Sequence, residues 1–125
     1  MCTILVIDDN VEILTEIKEI LLEGGFSVLE AMTGKQAKEM IGTQDLDLVI
    51  TDVVMPEMTG YEICRWIREE SRNHDLPVII CSGKNETIDR YWGMKQGADA
   101  YIAKPFELHT LLDTIKLLLP SKTAS

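Results

Sequence analysis

Short apolar runs alternate along this chain with longer stretches in which apolar residues recur every three or four positions. The short runs are rich in Val and Ile, and read as strands over about 3–7, 26–31, 48–51, 77–81 and 100–103. Leu48 to Thr51 is apolar throughout, the pattern of a strand covered by helices on both faces. Pro77 opens the fourth run, at a strand's first residue, where a missing backbone donor is tolerated.

The intervening stretches read as helices. The first carries Val11, Leu14, Ile17 and Leu21 as its apolar stripe, and Gly24-Gly25 stops it. Thr33 is a candidate N-cap for a helix from Gly34 to Ile41. Thr59 or Gly60 opens a third helix with Ile63, Cys64 and Ile67 inward. A fourth runs from Asn85 to Gln96 and ends at Gly97, which suits a left-handed cap. The last, from about Glu107 to Leu118, aligns Leu108, Leu111, Leu112, Ile115 and Leu118, and Pro120 ends it. Five strand–helix units with crossovers of this length imply an α/β fold with a parallel sheet covered on both faces. Residues 1–120 are read as one domain and 121–125 as a short polar tail.

Composition narrows the function classes. The 125 residues carry a formal charge of -9, which disfavours direct contact with nucleic acid, because phosphate binding needs a basic face. No apolar run approaches the ~18 residues of a membrane span, and the expected location is the cytoplasm. Cys2, Cys64 and Cys81 show no CxxC spacing and sit in or beside apolar runs, as small buried thiols do in a reducing compartment.

The chemistry lies where the strands end. Asp8-Asp9, Asp52, Ser82-Gly83 and Lys104-Pro105 each follow a strand. In a parallel sheet those ends share one edge, where ligands of open α/β sheets bind. A lone Asp after a strand is usually a helix cap. Three reaching one edge would repel each other and raise at least one pKa. Hard oxygen donors in that arrangement suit Mg²⁺. Lys104 adds a cation, Ser82 a hydroxyl donor and Gly83 an approachable backbone N–H, a set preorganised for a phosphoryl group. No P-loop pattern is present. His74 and His109 lie away from this edge and read as surface residues, so a carboxylate must be the nucleophile of any covalent step.

These residues, with Met55-Pro56 after Asp52 and the run from Gly97 through Tyr101 to Phe106, resemble the motifs of response-regulator receiver domains, the CheY-like phosphoacceptors of two-component signalling. The likeness covers about residues 2–119. It implies a flavodoxin-like (βα)5 three-layer sandwich with a five-stranded sheet of order 2-1-3-4-5, an order general for such folds. The stretch from Asp89 to Gly97 further resembles stand-alone regulators of twitching motility and phototaxis.

By matching position, the resemblance implies that Asp52 is the phosphoacceptor. Mg²⁺ would be held by Asp8, Asp9, Asp52 and the backbone carbonyl of Val54. Lys104 and Ser82 would contact the phosphoryl group, Ser82 and Tyr101 would form a switch, and the Lys104–Pro105 bond would be cis. From its residue type alone, Tyr101 could equally be a half-exposed aromatic on an edge strand. Val54 and Lys84 would border the path of the hydrolytic water and tune the phosphoryl lifetime, in a direction the sequence leaves open.

The function implied is a single-domain response regulator in a phosphorelay. It would be fed by a histidine kinase or phosphotransfer protein, and would signal by phosphorylation-dependent protein binding or dimerisation. Beyond self-catalysed phosphoryl transfer and autodephosphorylation, no enzyme activity is expected. The expected partner face is the fourth helix, last strand and last helix, with Arg90, Met94, Tyr101 and Leu117 on it. Trp92, grouped with Ile88 and Tyr91, reads as packing, and Trp66 is left undecided. The alternatives are a Mg²⁺-dependent phosphohydrolase using an aspartyl-phosphate, and a phosphorylation-independent interaction module. The first needs a second acid two residues after the nucleophile, where Val54 stands.

Overall fold

The computed structural model describes residues 2–83 and 86–119. Five strands, β1 (Thr3–Ile7), β2 (Ser27–Ala31), β3 (Leu48–Thr51), β4 (Val78–Ser82) and β5 (Ala100–Ala103), alternate with five helices. The helices are α1 (Val11–Glu23), α2 (Gly34–Thr43), α3 (Gly60–Glu69), α4 (Thr87–Lys95) and α5 (Leu108–Leu118). All strand pairs are parallel and the order is β2-β1-β3-β4-β5, as anticipated.

The period of two along each strand divides the core into two layers. Leu5, Ile7, Val49, Val78, Ile80 and Tyr101 face one way, onto Ala37 and Ile41 of α2 and Ile63, Cys64 and Ile67 of α3. Ile4, Val6, Leu48, Ile50, Ile79 and Cys81 face the other, onto Leu14, Ile17 and Leu21 of α1 and Leu111 and Ile115 of α5. Side chains close the starts of α1, α2 and α3. Asn10 accepts from the N–H groups of Glu12 and Ile13, Thr33 accepts from Gln36, and Thr59 forms a reciprocal capping box with Glu62. Gly97 takes φ +103°, the left-handed geometry predicted for it.

Several expectations need correction. Val11 and Leu108, assigned to apolar stripes, are exposed. Both are the first residue of their helix, where the helix overhangs the end of the sheet. Phe26 lies outside β2 because its N–H turns back to the carbonyl of Leu21 at 3.1 Å, closing the end of α1. Ile88, Tyr91 and Trp92 do not pack inward: all three are exposed, and Gly93 is the buried residue of α4. Trp66 is half-buried against the α2–α3 side of the core, with the Lys38 ammonium 5.3 Å from its ring centroid. Asn85, Pro120 and residues 121–125 lie outside the described residues. No helix among the described residues is long and apolar enough to cross a membrane.

Candidate functional site

The carboxyl ends of β1, β3, β4 and β5 meet as the sequence predicted. The backbone N–H of Asp52 reaches the carbonyl of Ile7 at 3.0 Å, fixing the end of β3 beside that of β1. The N–H of Lys104 reaches the carbonyl of Ser82 at 2.9 Å and ties β5 to β4. The Lys104–Pro105 bond is cis. One carboxylate oxygen from each of Asp8, Asp9 and Asp52 falls within 4.8 Å of the others, Asp8 buried, Asp52 half-buried and Asp9 exposed. The three donors therefore form a graded pocket, closed at Asp8 and open at Asp9.

Lys104 counters this charge. Its Nζ donates to Asp8 Oδ2 at 2.9 Å and lies 3.5 Å from Asp52 Oδ1. The other oxygen of Asp8 accepts from the N–H of Asn10 at 3.0 Å, so the buried carboxylate is held from two sides. Burial raises the Asp52 carboxyl above its ordinary value, and the charge of Asp8 adds to that rise. Lys104, the Val53 N–H and the Ser82 side chain oppose it. This is the raised pKa expected of the cluster, with burial rather than repulsion as the leading cause. Ser82 is 1% exposed beneath the site. Cys81, on the opposite face of β4, has its thiol pushed up to about 12, chiefly by burial.

The loop after Asp52 alternates in and out. Val53 and Met55 are buried, whereas Val54 is 60% exposed. Glu57 adopts φ +69° at the turn. Gly60 brings the start of α3 against this loop, its N–H bonding to the carbonyl of Val53 at 2.9 Å. A Cβ at Gly60 would collide with the Asp52 carbonyl oxygen. Sequence reasoning saw Gly60 only as a helix start, because the close approach is tertiary. It missed Tyr61 altogether, whose hydroxyl donates to the carbonyl of Asp89 at 3.2 Å; no local pattern marks that contact.

Lys84 lies outside the described residues. Of the expected partner face, Arg90 and Met94 are exposed and Leu117 is 84% exposed, but Tyr101 is only 8% exposed. The half-exposed edge aromatic that its residue type allowed is therefore not what the fold produces. A groove of about 620 Å³ runs beside β5, lined by Arg90, Ile102, Phe106, His109 and Thr110 among others. Met94 and Leu117 stand outside that lining. His74 and His109 are both on the surface, as expected.

The match to the response regulator receiver domain family runs over residues 4–116, and the chain belongs to that family. It is a receiver domain of the kind that serves response regulators in two-component signalling. Among curated proteins it is 35% identical over 117 residues to the transcriptional regulatory protein GltR of Pseudomonas aeruginosa, covering 94% of this chain and 48% of GltR. The chain thus spans about half the length of such relatives. Among solved structures, the receiver domain of Francisella response regulator 1452 matches at 31% identity and a TM-score of 0.89, covering 100% of both chains. The receiver domain of the sensor histidine kinase PA1611 from Pseudomonas aeruginosa, which has a magnesium ion coordinated in its active-site cleft, matches at 27% identity and a TM-score of 0.86. That match covers 94% of this chain and 96% of the other.

Proposed function

We propose that this chain accepts a phosphoryl group on Asp52 from a histidine kinase or phosphotransfer protein, and passes the signal on by binding another protein. The observation that carries this reading is Lys104 Nζ at 2.9 Å from Asp8 and 3.5 Å from Asp52, beside the gathered carboxylates. Asp52 is the half-buried acid of the three and the one in reach of both Lys104 and Ser82. In the transfer, an Asp52 oxygen bonds to phosphorus while the phosphorus–nitrogen bond of the donor histidine breaks. The electron pair leaves with the histidine nitrogen. Lys104 and Ser82 then donate to the phosphoryl oxygens.

The donor set fits Mg²⁺: three carboxylates face one ammonium, a net negative pocket of hard oxygens with an open mouth. Asp8, Asp9, Asp52 and the Val54 carbonyl would hold the ion. Bound there, it would supply positive charge against the acids and the phosphoryl oxygens.

The reaction ends with hydrolysis: water attacks phosphorus, the bond to Asp52 breaks, and phosphate leaves. Val54, exposed at the mouth, and Lys84 tune how fast this occurs. Val54 also occupies the position where a phosphohydrolase would need its second acid, so turnover on external phosphate esters is not part of this reading. Tyr101 and Ser82 form the switch, and the partner meets α4, β5 and α5, either as a different protein or as a second phosphorylated copy. The chain works in the cytoplasm without touching nucleic acid itself. A role in twitching motility or phototaxis rests on the resemblance of residues 89–97 alone.

The test is incubation with Mg²⁺ and a small phosphodonor, followed by mass spectrometry. The wild type should gain one phosphoryl group, lost on adding a chelator beforehand, and Asp52→Asn should gain none. Equal labelling of Asp52→Asn would sink the assignment.

A further inference from the structure

The outer face of α4 is apolar where an amphipathic helix is usually polar. Ile88, Tyr91 and Trp92 stand at positions i, i+3 and i+4, so they form one stripe along the helix, and they are 65%, 56% and 51% exposed. Single apolar side chains on a surface are ordinary. Three large ones side by side are the mark of an interaction surface. Trp92 brings the stripe to the α3 side of the helix. Arg90 points the other way, its Nη1 donating to the Tyr101 carbonyl of β5 at 3.1 Å.

Trp92 is also one wall of a groove of about 510 Å³ between α3 and α4, lined with it by Arg65, Arg68, Glu69, Lys95 and Gly97 among others. Three cations against one acid reverses the balance of the whole chain, which has 12 basic and 21 acidic residues. The floor of the groove is fixed. Arg68 donates from Nε to the Gly97 carbonyl at 3.0 Å, and from Nη1 to the carbonyls of His74 and Leu76 at 2.9 and 2.7 Å. Its Nη2 donates to Asp99 Oδ2 at 2.7 Å. Asp99 thus balances Arg68, and the charge on offer comes from Arg65 and Lys95, both exposed. Arg65 meets Glu69 at 3.2 Å, but those side chains are 64% and 57% exposed. So exposed a pair is held weakly, and an incoming carboxylate displaces it with little loss.

We propose that the α3–α4 groove and the Ile88–Tyr91–Trp92 stripe together dock an acidic amphipathic helix of a partner protein. Its apolar side lies on the stripe and its carboxylates meet Arg65 and Lys95. This surface is not the groove beside β5 and shares no residue with the carboxylate site, so docking there stands independently of phosphorylation at Asp52. Shape and charge select the occupant. A nucleotide stacked on Trp92 would meet the cations but leave Ile88, about 6 Å further along the helix, in water. A helix laid along α4 covers the whole stripe, since Ile88 to Lys95 spans about 10 Å. Nucleic acid would be repelled by a chain of net charge -9. Trp, Tyr and Arg are the residue types on which binding energy concentrates at interfaces, and all three stand here.

The experiment uses the full chain without metal or phosphodonor. The probe is a fluorescein-labelled synthetic peptide with Glu on one face of an amphipathic helix and Leu and Phe on the other, followed by fluorescence anisotropy. The acidic peptide should bind, more weakly as salt is added, and a counterpart with Gln for every Glu should bind about 10-fold less tightly or worse. Trp92→Ala removes an exposed side chain and should weaken binding about 10-fold or more. Arg65→Gln combined with Lys95→Gln should abolish the salt dependence. Leu22→Ala, at an exposed apolar residue of α1, should change nothing. No binding by the wild type overturns the proposal, as does equal binding of the Glu and Gln peptides. So does wild-type affinity in a Trp92→Ala variant that melts at the wild-type temperature. Two further arms test other occupants. Trp92-dependent binding of ATP in place of the peptide would overturn the proposal in favour of a nucleotide. Trp92-dependent self-association in sedimentation, with the peptide excluded, would overturn it in favour of a second copy.

Discussion

Replacing Lys104 by Met keeps the length and apolar body of the side chain and deletes its charge. Lys104 lies 2.9 Å from Asp8 and 3.5 Å from Asp52, with side chains 16%, 3% and 13% exposed respectively. At an effective dielectric of about 20, the two attractions are about 6 and about 5 kcal/mol gross. Desolvation of the ammonium and carboxylates offsets most of that sum. Removing one partner of a largely buried pair costs about 3–5 kcal/mol in practice. The pocket is open at Asp9, so water can relax around the orphaned acids, and the lower end, about 3 kcal/mol, is expected. Urea unfolding with a chelator present measures it. With a slope of about 1.5–3 kcal/mol/M, the midpoint should fall by about 1–2 M and the slope should hold.

The pH dependence gives a second handle. The folded state raises the Asp52 carboxyl above 3.8, with burial as the main cause and Lys104 as the leading opposing influence. The folded state therefore binds that proton more readily than the unfolded chain does. Asp52 costs stability as pH rises from 3.8 through its folded value, and the cost is relieved as pH falls. Without Lys104 the folded value moves higher, so the variant should recover more than the wild type on acidification, and the gap should narrow towards pH 4. Burial lowers the Lys104 pKa, but its hydrogen bond to Asp8 and the charges of Asp52 and Asp8 more than offset this, and the net shift is upward. Its contribution is thus complete below 10.5 and lost only as pH rises through the raised value. A loss under about 1 kcal/mol, typical of exposed pairs, and flat across pH would refute the reasoning.

Two further variants follow from the same geometry. Asp52→Asn should be more stable than the wild type at neutral pH, with the gain fading towards pH 4 in the same urea series, since it removes a carboxylate whose ionisation the fold disfavours. Gly60→Ala should cost about 1–3 kcal/mol by overpacking, and should impair phosphoryl incorporation beyond that loss, because its Cβ presses on the Asp52 carbonyl; equal labelling of folded variant and wild type would contradict it.

The sheet was legible because each strand is a short Val/Ile-rich run that needs no partner to be recognised. The site was legible for the same reason: in a parallel sheet, residues that end strands are neighbours by topology, and Asp8, Asp52, Ser82 and Lys104 all end strands. What was not legible depends on one element lying over another. Val11 and Leu108 satisfy the helical period yet overhang the sheet, so period alone misplaces them. On α4 the apolar residues Ile88, Tyr91, Trp92 and Met94 outnumber what the sheet covers, and the inward position goes to Gly93, which lets Tyr101 lie beneath it. Tyr61 and Gly60 matter through contacts with Asp89 and Asp52, far from them along the chain or set by a turn, and nothing in their immediate neighbours announces it.

Asp8 and Lys104 are 96 residues apart, and every carboxylate of the site precedes its cation in the order of synthesis. Four strands can pair while the acids still face one another without Lys104. The strand that finally brings the cation is β5, an edge strand held on one side only, by β4. Completing the sheet and neutralising the pocket are therefore a single event, and so is their undoing. When the edge frays, the protein loses its outermost strand, its charge balance and the buried ring of Tyr101 together, because Tyr101 and Lys104 ride on the same piece of chain. How long the carboxylates stay neutralised is then set as much by how firmly one edge strand stays zipped as by the ion pairs themselves.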